Sequence, residues 1–313
     1  MELRNQTLIN HFIFIGFSQN LKTCVLLFVL FFIIYILTVL GNSFLIFTII
    51  VSPKLHTPMY YFLCNLSFVD LFYSSSTVPK LLFDQFSKTR RIPLIGCLIQ
   101  MNIGLFLGGT ECILLAVMAY DRYIAICFPL YYTTIMSWRV CRWISIIMCV
   151  GTFILSSVPT MVKPLIFCKG NTLDHFVCEI LALLEVACGD LSFYKITIVA
   201  IGFFTILSPI VLIVVSYICI IDSILKIRSV EGRTKAFSTC ASHLTVVLIF
   251  FLTTMTMYMG QKRSFSSYLK YISLMYTVLT PVLNPVIYSL RNNDVKRAFR
   301  KILTAGSMTH TMS

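Results

Sequence analysis

Met118-Ala119-Tyr120-Asp121-Arg122-Tyr123-Ile124-Ala125-Ile126-Cys127 closes one of the long apolar runs of this chain. An acid and a base stand side by side where a helix would leave a bilayer. Charges at that depth are costly unless they are paired, hydrated or put to use. Asp121 is expected to hold Arg122, and releasing the arginine would offer a cation to a cytoplasmic partner. The reading turns on whether this run, and others like it, cross a membrane.

Composition says that they do. Of 313 residues, 58% are hydrophobic and 12% charged, against about a quarter charged in a soluble globule. A run of about 20 apolar residues spans the hydrocarbon core. Seven runs qualify, at about 24–50, 58–80, 97–127, 140–162, 195–225, 237–259 and 269–290. The third and fifth are long enough to protrude or tilt. Backbone groups in lipid need internal partners, so the runs are read as helices; barrel strands would show as alternating segments of about ten residues. The fold class expected is all-α, a seven-transmembrane helix bundle with its N-terminus outside. It divides into an extracellular tail over 1–23, the membrane domain over 24–290, and a cytoplasmic C-terminal helix and tail over 291–313.

Charge says less about orientation. The 25 Lys and Arg residues split almost evenly between the two faces, because Lys88, Arg90 and Arg91 in the first outer loop offset the positive-inside rule. Two other features favour an outer N-terminus. Asn5-Gln6-Thr7 is a glycosylation acceptor in a polar tail, and Cys97, Cys168, Cys178 and Cys188 fall in loops that would face an oxidising lumen. A second acceptor, Asn65-Leu66-Ser67, lies within helix two and is inaccessible. Glu2, Arg4 and Lys22 surround a short apolar patch with no small-residue cleavage site after it, so helix one is expected to act as its own targeting signal. The net charge of +13 does not point to nucleic acid, since no basic helix carries interleaved aromatics. Lys296, Arg297, Arg300 and Lys301 read instead as a juxtamembrane amphipathic helix on anionic lipid.

Further motifs punctuate the runs. Gly41-Asn42 places an amide inside lipid, where it needs a hydrogen-bond partner. Pro58-Met59-Tyr60-Tyr61-Phe62-Leu63-Cys64-Asn65-Leu66-Ser67-Phe68-Val69-Asp70 ends in a buried carboxylate, and Glu111 is a second one on helix three. Each acid could be protonated, or bonded to Asn42, Ser67 or Asn284; if they converge, they favour a cation or a shared proton. Helix five holds Pro209 and Ser216-Tyr217. Helix six opens with Lys235-Ala236-Phe237-Ser238-Thr239-Cys240-Ala241-Ser242-His243-Leu244. Helix seven ends Pro281-Val282-Leu283-Asn284-Pro285-Val286-Ile287-Tyr288-Ser289-Leu290-Arg291-Asn292, where Pro285 frees a carbonyl and permits a kink. Asn284 and Tyr288 would then reorganise polar contacts as the cytoplasmic half moves.

In this order, one signature per appropriate helix, the chain resembles a rhodopsin-like (class A) G-protein-coupled receptor over residues 24 to 303. More specifically it resembles an olfactory (odorant) receptor of the tetrapod type (class II). The resemblance implies disulfides Cys97–Cys178 and Cys168–Cys188, where four cysteines by themselves allow three connectivities. It implies a sodium ion near Asp70 and Glu111, with no other cofactor required. It also implies a coupling switch made of Asp121, Arg122, Tyr123, Tyr217, Lys235, Asn284, Pro285 and Tyr288, addressed to a heterotrimeric, stimulatory olfactory-type G protein. A metal site at His175, Cys178 and Glu179 reads poorly, since a cysteine committed to a disulfide supplies no thiolate. The eight remaining cysteines read as small apolar packing residues.

On helix three, Met101, Gly104, Leu105, Gly108, Gly109 and Cys112 recur at three- and four-residue steps and share one face. Glycines there could equally serve close helix packing. Aligning the family's motifs turns that face toward a ligand cavity and adds Ile201, Gly202 and Thr205 from helix five. It further adds Phe251, Thr254, Met255 and Tyr258 from helix six and Thr277 from helix seven. No charged residue is in this set, and Gly104 stands where amine receptors of the superfamily carry an aspartate. A small, neutral, mainly apolar volatile ligand is therefore expected, with one oxygen bonded to Thr205, Thr254 or Tyr258. Phe250-Phe251-Leu252 departs from the family's Phe-Tyr-Gly, and Gly260-Gln261-Lys262-Arg263 from its Arg-Pro. A transporter or channel lacks support: the halves show no internal repeat, no paired broken helices and no ring of charge. An enzyme lacks it too, since no nucleophile–base motif or metal-ligand spacing stands out.

Overall fold

The computed structural model describes residues 9–226, 229–259, 266–291 and 293–310. Helix one is Leu21–Val51, helix two Pro58–Phe86, helix three Leu94–Cys127 and helix four Trp138–Val162. Helix five runs over Ser192–Leu225 through a π turn at Phe203–Leu207. Helix six is Val230–Met259. Helix seven comprises Ser266–Leu274, a second π turn at Met275–Leu279, and Thr280–Arg291. Five helices are long and apolar enough to cross a membrane on those grounds alone. Helices two and six are as long but carry more polar residues.

The helices overrun the apolar runs because their ends are capped in water, not in lipid. Helix one starts three residues early, where Asn20 Oδ1 accepts from the backbone N–H of Lys22 at 3.0 Å. Such a cap satisfies one of the donors orphaned at a helix start. Helix two starts on Pro58, which needs no partner for the N–H it lacks. Asn65 of the second acceptor tripeptide is bonded within helix two, to Tyr61 O at 3.0 Å. Asn5 lies outside the described residues.

The all-α expectation needs one addition: the outer ends of the helices carry small sheets. Five short strands form there, β1 (His11–Phe14), β2 (Arg91–Pro93), β3 (Ile166–Phe167), β4 (Thr172–Leu173) and β5 (Ala187–Cys188). β1 pairs antiparallel with β2 and parallel with β4, and β3 pairs antiparallel with β5. The expected tail over 1–23 is thus partly built structure. Phe12 and Phe14 are buried with Cys97, Phe167, Leu173, Cys178 and Leu183. Disulfides join Cys97 to Cys178 and Cys168 to Cys188.

Arg90 explains the basic outer loop. Its guanidinium donates to the carbonyls of Asp84, Ile15 and Ser18, so it fastens the turn after β1 to the end of helix two. On the cytoplasmic side, the helix Asn293–His310 exposes Lys296, Arg297, Arg300 and Lys301 while burying Val295. Phe299 packs edge-on against Phe44 of helix one at 4.7 Å. That is the amphipathic helix expected there.

Gly16 tests the outer cap. Its φ is +69°, and an added Cβ would come within 2.8 Å of Arg90 Nη1. Gly16→Val should strain the backbone by about 1–2 kcal/mol and displace the arginine. The purified protein should melt several degrees lower, as read by thermal denaturation; an unchanged midpoint would mean that the cap carries no stability.

Candidate functional site

A cavity of about 120 Å³ opens between helices three, four, five and six beneath the loop that follows helix four. On the helix-three side it meets Met101, Gly104, Leu105, Gly108, Gly109 and Cys112, and on the helix-five side Ile198, Ile201, Gly202, Thr205 and Ile206. No atom lies within 4 Å of the Cβ position at Gly104, Gly108 or Gly202. Those glycines therefore enlarge the cavity and are not used for close helix packing. Gly109 does pack: a Cβ there would meet Thr205 Cγ2 at 3.6 Å and Thr152 Cγ2 at 3.7 Å.

The roof is the stretch Val177-Cys178-Glu179-Ile180. Gln100 holds it down: its Oε1 accepts from Cys178 N at 3.0 Å, and its Nε2 donates to Ser76 O at 3.0 Å. Glu179 accepts from Tyr276 Oη at 3.0 Å and from Ser273 Oγ at 3.4 Å. His175 Nε2 is 3.3 Å from the same carboxylate. One residue further out, Lys270 Nζ pairs with Asp174 at 2.7 Å and donates to Gly16 O at 3.2 Å.

Below the cavity the buried acids meet one amide. Asn284 Nδ2 lies 3.0 and 3.2 Å from the two Asp70 oxygens and 3.4 Å from Glu111 Oε1. Asn42 does something else. Pro285 has no N–H, which leaves the carbonyl of Pro281 without its helical partner. Asn42 Nδ2 donates to that carbonyl at 2.9 Å. Gly41 makes room for the approach, since a Cβ there would sit 3.2 Å from Pro285 Cγ. The hub supplies two carboxylates, and Asn284 Oδ1 is buried without a partner. Hard oxygen donors with surplus negative charge suit a small hard cation, so these residues fit sodium, which would neutralise that charge.

At the cytoplasmic end the expected Asp121–Arg122 pair does not form: no ion pair joins them within 4 Å. Asp121 accepts from Tyr132 Oη at 2.8 Å instead. Tyr132 belongs to the one-turn helix Tyr132–Ile135, which folds back under helix three. Burial, then the adjacent Asp121 carboxylate, raises the Tyr132 phenol above its ordinary value, so it remains a donor at physiological pH. Arg122 stays within electrostatic range of Asp121 and Tyr132, and also of Tyr217, Cys240, His243 and Tyr288. Tyr217 Oη bonds His243 Nδ1 at 2.8 Å and donates to Cys240 O at 3.2 Å. Tyr288 is fully buried, and Tyr123 is half-buried against Tyr120 and Phe128. The Lys235 side chain lies outside those described.

The architecture matches squid rhodopsin with a TM-score of 0.73 over 91% of this chain and 82% of that one, at 19% identity. That establishes the rhodopsin-like fold. The family model described as olfactory receptor matches residues 31–305. Human olfactory receptor 13C2 is 44% identical, with 97% of this chain and 98% of the relative covered. Human olfactory receptor 13C9 is 46% identical over 96% and 98%. The chain belongs to the olfactory receptor family. This olfactory receptor is accordingly a multi-pass plasma-membrane receptor and not an enzyme.

In this receptor ten of the fourteen residues expected at the cavity border it, among them Thr254 on helix six. Phe251, Met255 and Thr277 do not. Helix six presents Phe250 and Thr254, four residues apart, so Phe251 is turned about 100° away into the core with Leu114, Leu115 and Tyr217. Thr277 is buried in the π turn with its hydroxyl unpartnered. The Tyr258 side chain lies outside those described. Helix four supplies Thr152, Leu155, Ser156, Pro159 and Thr160, whose three- and four-residue spacing was readable but unused. Tyr73, Gln100, Glu179, Tyr194 and Tyr276 also border the cavity; Gln100 continues the four-residue steps of Gly104, Gly108 and Cys112, and no local pattern marks the others. The expectation of a lining without charge is corrected: Glu111 and Glu179 both border it.

Filling the space tests the cavity. Gly108→Leu should remove most of the room beside helix three while leaving surface expression intact, since nothing lies within 4 Å of the new Cβ. Odorant-evoked responses should fall at least tenfold in potency in a cell-based assay; an unaltered dose–response curve would move the binding site elsewhere.

Proposed function

We propose that this receptor binds small, neutral, mainly apolar volatile molecules in the cavity and activates a stimulatory, olfactory-type heterotrimeric G protein, raising cyclic AMP. The observation that carries the reading is the continuity of helix three. It borders the cavity from Gln100 to Cys112 and carries Asp121 and Arg122 about nine and ten residues further on. Met101, Leu105, Ile180, Ile198, Ile201 and Ile206 supply apolar wall, and ten to fifteen ligand atoms against it give modest affinity. Flexible methionine at Met101 favours tolerance over strict selection.

Ligand binding favours a state in which helix six moves away from Arg122, and it does so only by its differential affinity for the two states. The cytoplasmic cavity that opens, bordered by Arg122, Tyr217, Lys235 and Tyr288, receives the tail of the G-protein α subunit. Sodium at Asp70, Glu111 and Asn284 stabilises the resting state by compensating the two acids.

Arg122→Ala should abolish the cyclic AMP response with surface staining unchanged; a retained response refutes the role given to Arg122. Sodium is tested separately. Exchanging sodium for a bulky organic cation should lower the melting temperature of the wild-type receptor by a few degrees and leave Asp70→Asn unmoved. Equal melting in both salts would remove the ion.

A further inference from the structure

Several hydroxyls around the cavity share a property. Thr205 Oγ1 donates to Ile201 O at 2.8 Å, Thr254 Oγ1 to Phe250 O at 2.8 Å, and Ser156 Oγ to Phe153 O at 3.0 Å. Tyr194 Oη donates to Lys163 O, and Tyr276 Oη to Glu179. A hydroxyl has one proton and two lone pairs. Each of these has already committed its proton to the protein, so what it offers a ligand is a lone pair. Glu179, as a carboxylate, offers lone pairs only. These hydroxyls and this carboxylate are placed to accept.

We propose that the ligand's polar group is a hydrogen-bond donor, an alcohol hydroxyl, and that Glu179 is its acceptor in competition with Tyr276. The proposal deepens the odorant-binding reading above and rests on it. Glu179 is well placed for both tasks. It borders the cavity from the roof, and its bond from Ser273 Oγ at 3.4 Å holds the carboxylate when the Tyr276 bond is exchanged. Tyr276 borders the same cavity from the π turn Met275–Leu279, where the helix-seven backbone leaves its regular ladder. Such turns are weak points in a helix and are common at functional sites. A hydroxyl that takes the Tyr276 position at Glu179 Oε1 releases the side chain that tethers helix seven to the roof. Helix seven continues to Asn284 and its bonds to Asp70 and Glu111. The exchange is hydrogen bond for hydrogen bond and moves no proton.

An ether or ketone of the same carbon skeleton has acceptors only and meets acceptors. It fills the apolar space, yet it cannot displace Tyr276. A carboxylic acid is ionised at neutral pH and is repelled by Glu179.

Hydrogen–deuterium exchange of the purified full-length receptor reads the tether without any G protein. The probes are the straight-chain alcohols from hexan-1-ol to decan-1-ol, each beside its methyl ether. In the wild type, alcohol should raise amide exchange across Met275–Leu279 and ether should not. Without ligand, Tyr276→Phe should raise it by about fivefold, the worth of one ordinary hydrogen bond, and Glu179→Gln should raise it less. Cyclic AMP then gives the opposite-sign signature that a merely structural role would not produce. Tyr276→Phe leaves Glu179 open and gains potency toward alcohols; Glu179→Gln loses about tenfold, as for a bond to a charged acceptor. Equal exchange with alcohol and ether, or an unchanged π turn in both variants, overturns the proposal, as does a receptor that answers ethers or ketones in preference to alcohols. Alcohol-specific exchange without cyclic AMP leaves the proposal standing and removes the G-protein reading instead.

Discussion

A peptide group in hydrocarbon can be satisfied only by another polar group of the same protein, and the receptor is organised by a place where the helical ladder fails to meet that demand. Pro285 leaves the Pro281 carbonyl unpaired, and the Asn42 amide, reaching across from helix one, takes it at 2.9 Å. The contact needs both backbones close, which Gly41 permits. Gly41-Asn42 and Asn284-Pro285, more than two hundred residues apart in sequence, are thus two halves of one device. Once helix seven is pinned there, Asn284 faces Asp70 and Glu111, and helices two, three and seven share a polar centre in an otherwise apolar bundle.

The outer face answers to a different constraint. Water is available, so loops are allowed, but a cavity for a small apolar molecule needs a lid that stays in place. The lid is fastened at each side by chemistry suited to that side: the Cys97–Cys178 disulfide and Gln100 to helices three and two, Glu179 and Lys270–Asp174 to helix seven, and β1 with Arg90 to the first loop. The basic residues that blur the charge asymmetry of the chain are partly spent on this fastening, which is why charge alone was a poor guide to orientation.

That division also decides what could be read from sequence. Spans of apolar residues, the helix-three face and the buried acids are local or periodic signals, and each was legible. The helix-six face was not. Phe250, Phe251 and Leu252 are all apolar, so their pattern cannot tell which of three neighbours looks inward, and a shift of one residue rotates the face by about 100°. The strands were invisible because segments of two to four residues have no periodicity of their own; partners as distant as Ile13 and Thr172 create them. Glu179 was judged only as a metal ligand beside Cys178, and its real partners, Ser273 and Tyr276, lie at the far end of the chain. Asp121 was given Arg122 by adjacency, yet side chains next to each other on a helix point about 100° apart. Asp121 therefore looks toward Tyr132, and Arg122 toward helices five, six and seven.

The absence of that ion pair bears on how so small a ligand can work. Drug-sized ligands gain about 0.3 kcal/mol per heavy atom and only the best small ones approach 1.5, and only the difference between two states does work on the equilibrium. At the lower rate a ligand of ten to fifteen atoms gains about 3–5 kcal/mol in all, and only part of that moves helix six. A desolvated ion pair at the cytoplasmic end, broken by removing one partner, would cost about 3–5 kcal/mol and could consume all of it. What joins helices five and six beside Arg122 is instead the neutral Tyr217–His243 bond at 2.8 Å, worth about 1 kcal/mol net. Asp121 keeps its Tyr132 bond whichever way helix six stands, because both belong to helix three and the turn beneath it. In the proposed mechanism the charge of Arg122 reaches a partner without first breaking a close ion pair with Asp121, and a lightly latched switch is matched to a lightly binding ligand.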